Sequence, residues 1–240
     1  GPGSGIHRSD DNGNTWKKLT NGIPKSNLGK IGITMSHQDP DVVYAAVETD
    51  RTKGGIYRSV NRGESWKKMS NTVSGGTGPH YYQELYASPH KFDRLYLMNV
   101  QILTSEDGGK NFKELMPAYG VDNGVHPDHH AWWIHPKNGK FMIDGNDGGL
   151  NITRDGGKSW RFIGNIPVAQ FYHINVDNEF PYNIYGGMQD NGSWVGPAYV
   201  LKAQGIRNSY WQEIMFSPLL IMEVGVPQRL MSPYLNPRLH

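Results

Sequence analysis

Short apolar runs recur along the chain at a nearly constant interval, and each run follows a turn. One kind of run comes directly after a glycine-containing turn and reads WKKL, WKKM, FKEL or WRFI. A second kind follows a proline-containing turn, as in HQDPDVVY and SPHKFDRLY. β-Branched and aromatic residues bounded by such turns are typical of strands and hairpins. Because no stretch keeps a 3.6-residue apolar period for more than about two turns, the pattern predicts an all-β protein.

The glycine-containing turns share one eight-residue motif. Its pattern is a hydroxyl residue, any residue, Asp or Asn, any residue, Gly, any residue, a small polar residue and an aromatic. Four copies align without gaps, at spacings of 50, 46 and 48 residues: 9–16, 59–66, 105–112 and 153–160. A fifth copy keeps only its ending, WQEI at residues 211–214. Such a period indicates a repeat architecture.

Each repeat reads as four short strands. In the second copy we predict strands at 30–36, 42–47, 55–58 and 66–69, and in the first copy the third and fourth strands at 5–9 and 16–19. Four strands per roughly 40 to 50 residues are typical of a β-propeller blade. The sequence therefore predicts a β-propeller of four-stranded antiparallel blades, with about five blade equivalents.

The motif residues have a structural explanation. The Asp or Asn accepts hydrogen bonds across a tight turn, the glycine supplies a positive φ, and the aromatic is expected to pack between adjacent sheets. The residues concerned are Asp11, Asn61, Asp107 and Asp155; Gly13, Gly63, Gly109 and Gly157; and Trp16, Trp66, Phe112 and Trp160.

Composition and charge exclude several classes of protein. Glycine and proline together make up 45 of 240 residues, which is too many for a helical bundle. No apolar run reaches the length of a membrane span. The net charge of +2, without a block of like charges, does not indicate nucleic-acid binding. The absence of cysteine excludes disulfides and thiolate chemistry.

The motif resembles the Asp-box (BNR) repeat, which occurs in sialidases, xyloglucanase-type glycosidases, sortilin-type receptor ectodomains and photosystem assembly factors. The resemblance covers about residues 5–214. The stretch from DHHAWW to GNDGG, with AQFYHINVDN and GGMQDNGSW, is similar to sortilin-like, glycosyl hydrolase-like bacterial propellers. The resemblance implies a propeller fold and favours an extracytoplasmic bacterial location. It does not choose between enzyme, receptor and chaperone.

Three segments are expected along the chain. Residues 1–4 look like a cloning scar, residues 5–214 carry the repeats, and residues 215–240 form an atypical tail. The tail offers two candidate ring-closing strands, at 219–224 and 229–231. A closed five-blade ring, a fragment of a larger propeller and a homo-oligomer that completes the ring all stay open.

The residues that the motif does not explain are expected on one face of the propeller. Turns from the second to the third strand and connections between blades lie opposite the motif loops, where scaffolds often hold ligands. We predict a site for a glycan or peptide there. Its candidate ligand-binding residues are His80, Tyr82, His126, His129, His130, Asn146, Tyr172, His173, Gln189 and Asn191.

Two further chemistries are considered at this face. Asp128, Asp147 and Asp190 are candidate catalytic residues, because glycoside hydrolysis uses paired carboxylates. His126, Asp128 and His130 are candidate ligands for a divalent metal, although no cofactor is required. A sialidase is disfavoured because few arginines map to this face. The leading hypothesis is a binding scaffold without established catalysis, and the alternative is a glycoside hydrolase.

Overall fold

A computed structural model describes residues 3–50, 53–75, 78–79, 81–116, 124–166, 168–188, 192–203 and 205–214. The atypical tail lies outside the described residues. The described chain is all-β apart from one 3-10 turn at Asn208–Tyr210, and it forms two compact units, Gly1–Ile163 and Gly164–His240. Within it, no helix is long and apolar enough to cross a membrane.

The first unit contains four antiparallel sheets in chain order. The first sheet has two strands, and the second, third and fourth have four each. The strands are β1 (Ile6–Arg8), β2 (Lys17–Leu19), β3 (Leu28–Met35), β4 (Val43–Thr49), β5 (Lys53–Ser59), β6 (Lys67–Ser70), β7 (Leu85–Ala87), β8 (Leu95–Leu97), β9 (Leu103–Ser105), β10 (Lys113–Glu114), β11 (His129–Ile134), β12 (Met142–Asn146), β13 (Gly149–Thr153) and β14 (Arg161–Phe162). In each four-stranded sheet the strands pair in sequence order, as in a propeller blade.

The second unit contains a fifth sheet of the same type. Its strands are β15 (Phe171–Val176), β16 (Asn183–Met188), β17 (Ser193–Pro197) and β18 (Gln212–Ile214), and they also pair in sequence order. The decayed fifth copy of the motif therefore still supplies a fourth strand. The predicted all-β propeller fold with four-stranded antiparallel blades is confirmed.

Both faces of a blade in the first unit are buried against neighbouring sheets. All seven residues of β4 are buried. Val43, Ala45 and Val47 face a core shared with the first sheet. Tyr44 and Ala46, which point to the opposite side of the sheet, face a core shared with the third sheet. This double burial explains why the first five residues of β4 read as a continuous apolar run.

The motif loops repeat one hydrogen-bond arrangement. In the fourth copy the backbone N–H of Gly157 donates to Thr153 Oγ1 at 3.0 Å, and the N–H of Ser159 donates to Asp155 Oδ1 at 3.0 Å. Trp160 Nε1 donates to the carbonyl of Gly157 at 3.2 Å. The other copies repeat the first two bonds with Ser9, Asp11, Gly13 and Thr15; with Ser59, Asn61, Gly63 and Ser65; and with Ser105, Asp107, Gly109 and Asn111.

The glycine of each motif has the positive φ that was predicted. The values lie between 85° and 92°, at Gly63 and Gly109 respectively, in a region that only glycine adopts without strain. The hydrogen bonds also stabilise the charged form of the carboxylates. Bonds from Thr15 lower the pKa of Asp11 to about 2, and bonds led by the Asn111 N–H lower that of Asp107 to about 2.

The packing predicted for the motif aromatics is confirmed in three copies and wrong in one. Trp66 and Trp160 are buried and Phe112 is partly buried, each against residues of the preceding sheet. Trp16 is 64% exposed. Each of the other three aromatics packs on the sheet that precedes its own. In the described part of the first unit, no sheet precedes the one that carries Trp16.

We expect Asp107→Ala to lower the free energy of unfolding by about 1 kcal/mol at pH 7, the scale of a lost side-chain cap. Asp107→Asn keeps an acceptor for the Asn111 amide, as Asn61 does in its own loop, and should cost less. Because the folded pKa of Asp107 lies below its unfolded value, its contribution is present above about pH 4 and is lost as the pH falls to about 2. Urea denaturation across this pH range measures both effects.

A matched control for this prediction is Glu114→Ala, which removes an exposed carboxylate from the neighbouring strand. It should change the unfolding free energy little at any pH. An equal loss for Asp107→Ala and Glu114→Ala would contradict the role given to the loop.

Candidate functional site

The unexplained polar residues of the first unit lie at one end of its third and fourth sheets. Residues 81–84 lead into β7, 99–101 link β8 to β9, 124–128 lead into β11, and 147–148 link β12 to β13. The motif loops instead link third to fourth strands, at the opposite end. We call the end formed by these four segments and the adjoining ends of β11 and β12 the loop face. Its position agrees with the predicted opposition of the two faces.

A buried tyrosine connects the two sheets at the loop face. The hydroxyl of Tyr82 donates to Asp128 Oδ1, and its ring stacks on His130 with centroids 5.3 Å apart and 9° between planes. The Tyr81 ring stands edge-on to both, at 5.0 and 4.9 Å. His130 Nε2 lies 3.8 Å from Asp147 Oδ1. Five of the polar and aromatic side chains at this face therefore form one continuous cluster.

The environment keeps Tyr82 protonated. Its side chain is almost fully buried, and burial disfavours the phenolate. The hydrogen bond to Asp128 and the charges of Asp128 and Asp147 act in the same direction, so the pKa of Tyr82 is raised well above its ordinary value. Tyr82 therefore acts as a hydrogen-bond donor at this face and not as a base.

A second, buried pair of side chains lies on β11 and β12, next to the cluster in sequence. His129 Nδ1 donates to both oxygens of Asp144 at 2.9 Å, and both side chains are 0% exposed. Asn146 Nδ2 donates to Asp144 Oδ2 at 2.8 Å. With Nδ1–H donating, the Nε2 atom of neutral His129 is an acceptor, and it is buried without a hydrogen-bond partner.

Sequence reasoning missed Asp144. The usable signal was a single carboxylate in the run FMIDGN, where the two adjacent positions, Ile143 and Gly145, are apolar or small. A buried carboxylate in such a run needs a partner. His129 was predicted to bind ligand; it lies at the loop face but is fully buried, bonded to Asp144.

His126, in the segment before β11, packs against the turn between β12 and β13. A Cβ atom added to Gly148 would come within 2.6 Å of His126 Cβ, so the ring packs where only glycine leaves room. Asn146 Oδ1 accepts from the Gly148 N–H at 3.0 Å, a bond typical of a tight turn. His126, Asp128 and His130 are not brought together as a metal site, and the described residues contain no group of three His, Asp or Glu side chains that could hold a metal ion.

The backbone of the loop face is strained at two non-glycine residues. Gln83 has φ of 92° and Asp128 has φ of 67°. Asp tolerates this region but Gln rarely enters it. Gln83 is fully buried, and its carbonyl lies so close to β3 that a Cβ on Gly32 would stand 1.8 Å from it. Gln83 Oε1 accepts from the Ser74 N–H at 3.2 Å, while Gln83 Nε2 has no partner.

The remaining candidates fall into two groups. Tyr172 and His173 are exposed residues of β15 in the second unit. His80, Gln189, Asp190 and Asn191 lie outside the described residues. The structure therefore brings together Tyr82, Asp128, His129, His130, Asn146 and Asp147 of the predicted set, with His126 beside them.

Comparison with known proteins supports the fold. No family profile and no curated protein matches the sequence. The structure is similar to a GH74 enzyme from Niastella koreensis, with a TM-score of 0.54 at 14% identity over 87% of this chain and 34% of that one. It is also similar to the GH74 xyloglucanase from Xanthomonas campestris, with a TM-score of 0.53 at 19% identity over 88% and 34%. The chain spans about a third of the length of these enzymes, which are propeller proteins, and such identities show a shared fold alone.

We expect Asp144→Ala to lower the free energy of unfolding by about 3 kcal/mol, because it leaves His129 buried without its charged partner. Asp147→Ala, on the same hairpin but with a partly exposed carboxylate, should cost less than about 1 kcal/mol. Urea denaturation compares the two variants. Similar losses would show that burial of the His129–Asp144 pair does not set its contribution.

Proposed function

We propose that this chain is a binding scaffold of the Asp-box propeller class that holds a glycan or peptide ligand at the loop face. The observation that supports it is the cluster of Tyr82, Asp128, His130 and Asp147, which joins two blades. The recurrence of one hydrogen-bond arrangement in four motif loops supports assignment to the Asp-box class.

Three nitrogen atoms near the cluster lack hydrogen-bond partners within the described chain. Gln83 Nε2, His129 Nε2 and His130 Nε2 are buried without hydrogen-bond partners among the described residues. Leaving such a group unsatisfied costs about 1–3 kcal/mol. In proteins, buried water completes the hydrogen bonds of groups shielded in this way, so the interior beside the cluster is polar.

The segments of the loop face are held by the sheets that they enter. Gln83 and Asp128 hold uncommon φ values on segments that enter adjacent blades. Such strain persists where the surrounding structure fixes it. Loops held by rigid sheets give a preorganised site, which lowers the entropic cost of binding.

The proposal predicts that substitutions at the loop face weaken the binding of any ligand that the chain recognises. The probes are a printed oligosaccharide array and an array of random 12-residue peptides, both exposed to the labelled full chain. We expect His130→Ala to reduce the signal of each wild-type binder at least tenfold, because it removes the ring that stacks on Tyr82. Tyr82→Phe, which keeps the ring and removes the donor, should cause a smaller loss.

The matched control is Lys110→Ala, which changes a motif loop at the opposite end of the third sheet. It should leave the array pattern unchanged. Binding that survives His130→Ala but is lost in Lys110→Ala would place the ligand on the wrong face for this proposal.

A glycoside hydrolase is the second candidate. Asp128 accepts a hydrogen bond from the Tyr82 hydroxyl, and Asp147 lies next to His130 Nε2. Two carboxylates that share one cluster are the arrangement from which glycosidases take an acid and a base or nucleophile. The third candidate, Asp190, lies outside the described residues.

If the hydrolase candidate is correct, the wild type should release reducing sugar from at least one member of a panel of β-glucans and xyloglucan. Asp128→Asn and Asp147→Asn should each lower the rate about a thousandfold, since each would remove a catalytic group. Asp39→Asn on a turn at the opposite end is the control. Undiminished hydrolysis in either loop-face variant would eliminate that carboxylate from catalysis.

A further inference from the structure

We propose that the first sheet is an acceptor for two added strands, and that its occupant is the tail of the same chain, residues 219–231. The acceptor consists of the free edge of β1 and the apolar side chains of Ile33 and Met35 on β3. Both parts lie within the first unit. This surface is separate from the cluster at the loop face, so the proposed ligand plays no part in it.

The free edge of β1 follows from the strand pairing. In each four-stranded sheet of the first unit, the third strand has a neighbour on both sides, as β9 has in β8 and β10. The counterpart of β9 in the first sheet is β1, which pairs within the described residues with β2 alone. The second edge of β1 therefore offers backbone N–H and C=O groups, which act as a template for an added strand.

The apolar part of the acceptor lies on the neighbouring strand β3. Ile33 pairs with Ala45 and Met35 pairs with Val43, so these side chains point to the core that is shared with the first sheet. Yet Ile33 is 52% exposed and Met35 is 61% exposed. This side of β3 is directed towards a core that covers it only in part.

The equivalent residues of the next blade are buried. The turn after each first strand begins with a serine, Ser36 after β3 and Ser88 after β7. Counting back from these serines, the two exposed residues of β3 correspond to Leu85 and Ala87 of β7, which are both buried. The exposure is therefore peculiar to the blade that follows the two-stranded sheet.

In that next blade, a second strand provides the cover. Tyr44 and Ala46 of β4, the second strand of the preceding sheet, share one core with Leu85 and Ala87. The first sheet supplies its own core from its third and fourth strands and the turn after them, with Ile6, Leu19 and Ile23. No described residue of the first sheet corresponds to Tyr44 or Ala46. The partner that fits this surface is therefore a hairpin whose second strand carries apolar residues.

The tail has the length and the pattern of such a hairpin. It provides 26 residues after β18, and its two candidate strands, 219–224 and 229–231, span 13 residues with the turn between them. The pair β7 and β8 also spans 13 residues. The first candidate strand reads LLIMEV, and the turn after it contains glycine and proline. In every four-stranded sheet the second strand pairs with the third, so residues 229–231 are the strand that pairs with β1.

The test exploits the absence of cysteine from the chain, which makes a single introduced thiol a specific reporter of cover. Ile33→Cys places the thiol beneath the proposed strands, and Val60→Cys places it on a motif loop, at a position that is 58% exposed. In the full chain, we expect a maleimide to label Ile33→Cys at least tenfold more slowly than Val60→Cys. The reason is that a covered thiol reacts only when the strands detach.

The occupant is tested by adding Leu230→Asp and Met231→Asp together to each cysteine variant. Because successive residues of a strand point to opposite faces, one of the two charges falls on the apolar side. Labelling of Ile33→Cys should then rise to within about twofold of Val60→Cys, whose own rate should stay unchanged. Leu239→Asp, which puts a charge in the tail beyond the candidate strands, is the matched control and should change neither rate. Circular dichroism shows that each variant keeps its β-structure.

Three results overturn the proposal. Equal labelling of Ile33→Cys and Val60→Cys in the full chain shows that nothing covers β3. Slow labelling of Ile33→Cys that persists with both aspartates in the tail shows that another segment is the occupant. Labelling of Ile33→Cys that accelerates over about a hundredfold dilution assigns the added strands to a second copy of the chain.

Discussion

Burial of both faces of the second strands β4 and β8 is the constraint from which the rest of the first unit follows. β4 directs alternate residues into two different cores, so a polar side chain at any of its positions would be removed from water. Charged and polar chemistry is therefore confined to strand ends and turns, except where a partner compensates for burial. Asp144 is such an exception, since His129 and Asn146 satisfy its oxygens.

The two ends of the sheets use their polar residues in different ways. At the motif end, side-chain oxygens bond to amides within the same loop, so the loop is complete by itself. At the loop face, the contact between Tyr82 and Asp128 joins residues far apart in sequence. A self-satisfied loop favours a structural role, whereas a contact of this kind holds side chains from two blades in one arrangement.

This difference also explains how much the sequence alone could predict. The four strands of the second sheet and the motif turns were predicted correctly, because their signals are local turn chemistry and apolar runs. The His129–Asp144 pair depends on the register between β11 and β12, which a single sequence does not encode in any one segment. Trp16 was misjudged because the motif is local, while the sheet that would cover its aromatic side chain is not.

The dependence of the loop face on the core is clearest at Gly32. The residue lies within β3 of the second sheet, yet its missing side chain is what admits the Gln83 carbonyl of the third sheet. Gln83 has a positive φ at this close approach, and it directly follows the tyrosine that donates to Asp128. The geometry of Tyr82 is therefore set by backbone packing between two blades, and not by the turn to which it belongs. A cluster built this way moves only if the blades move, because close-packed interiors deform little.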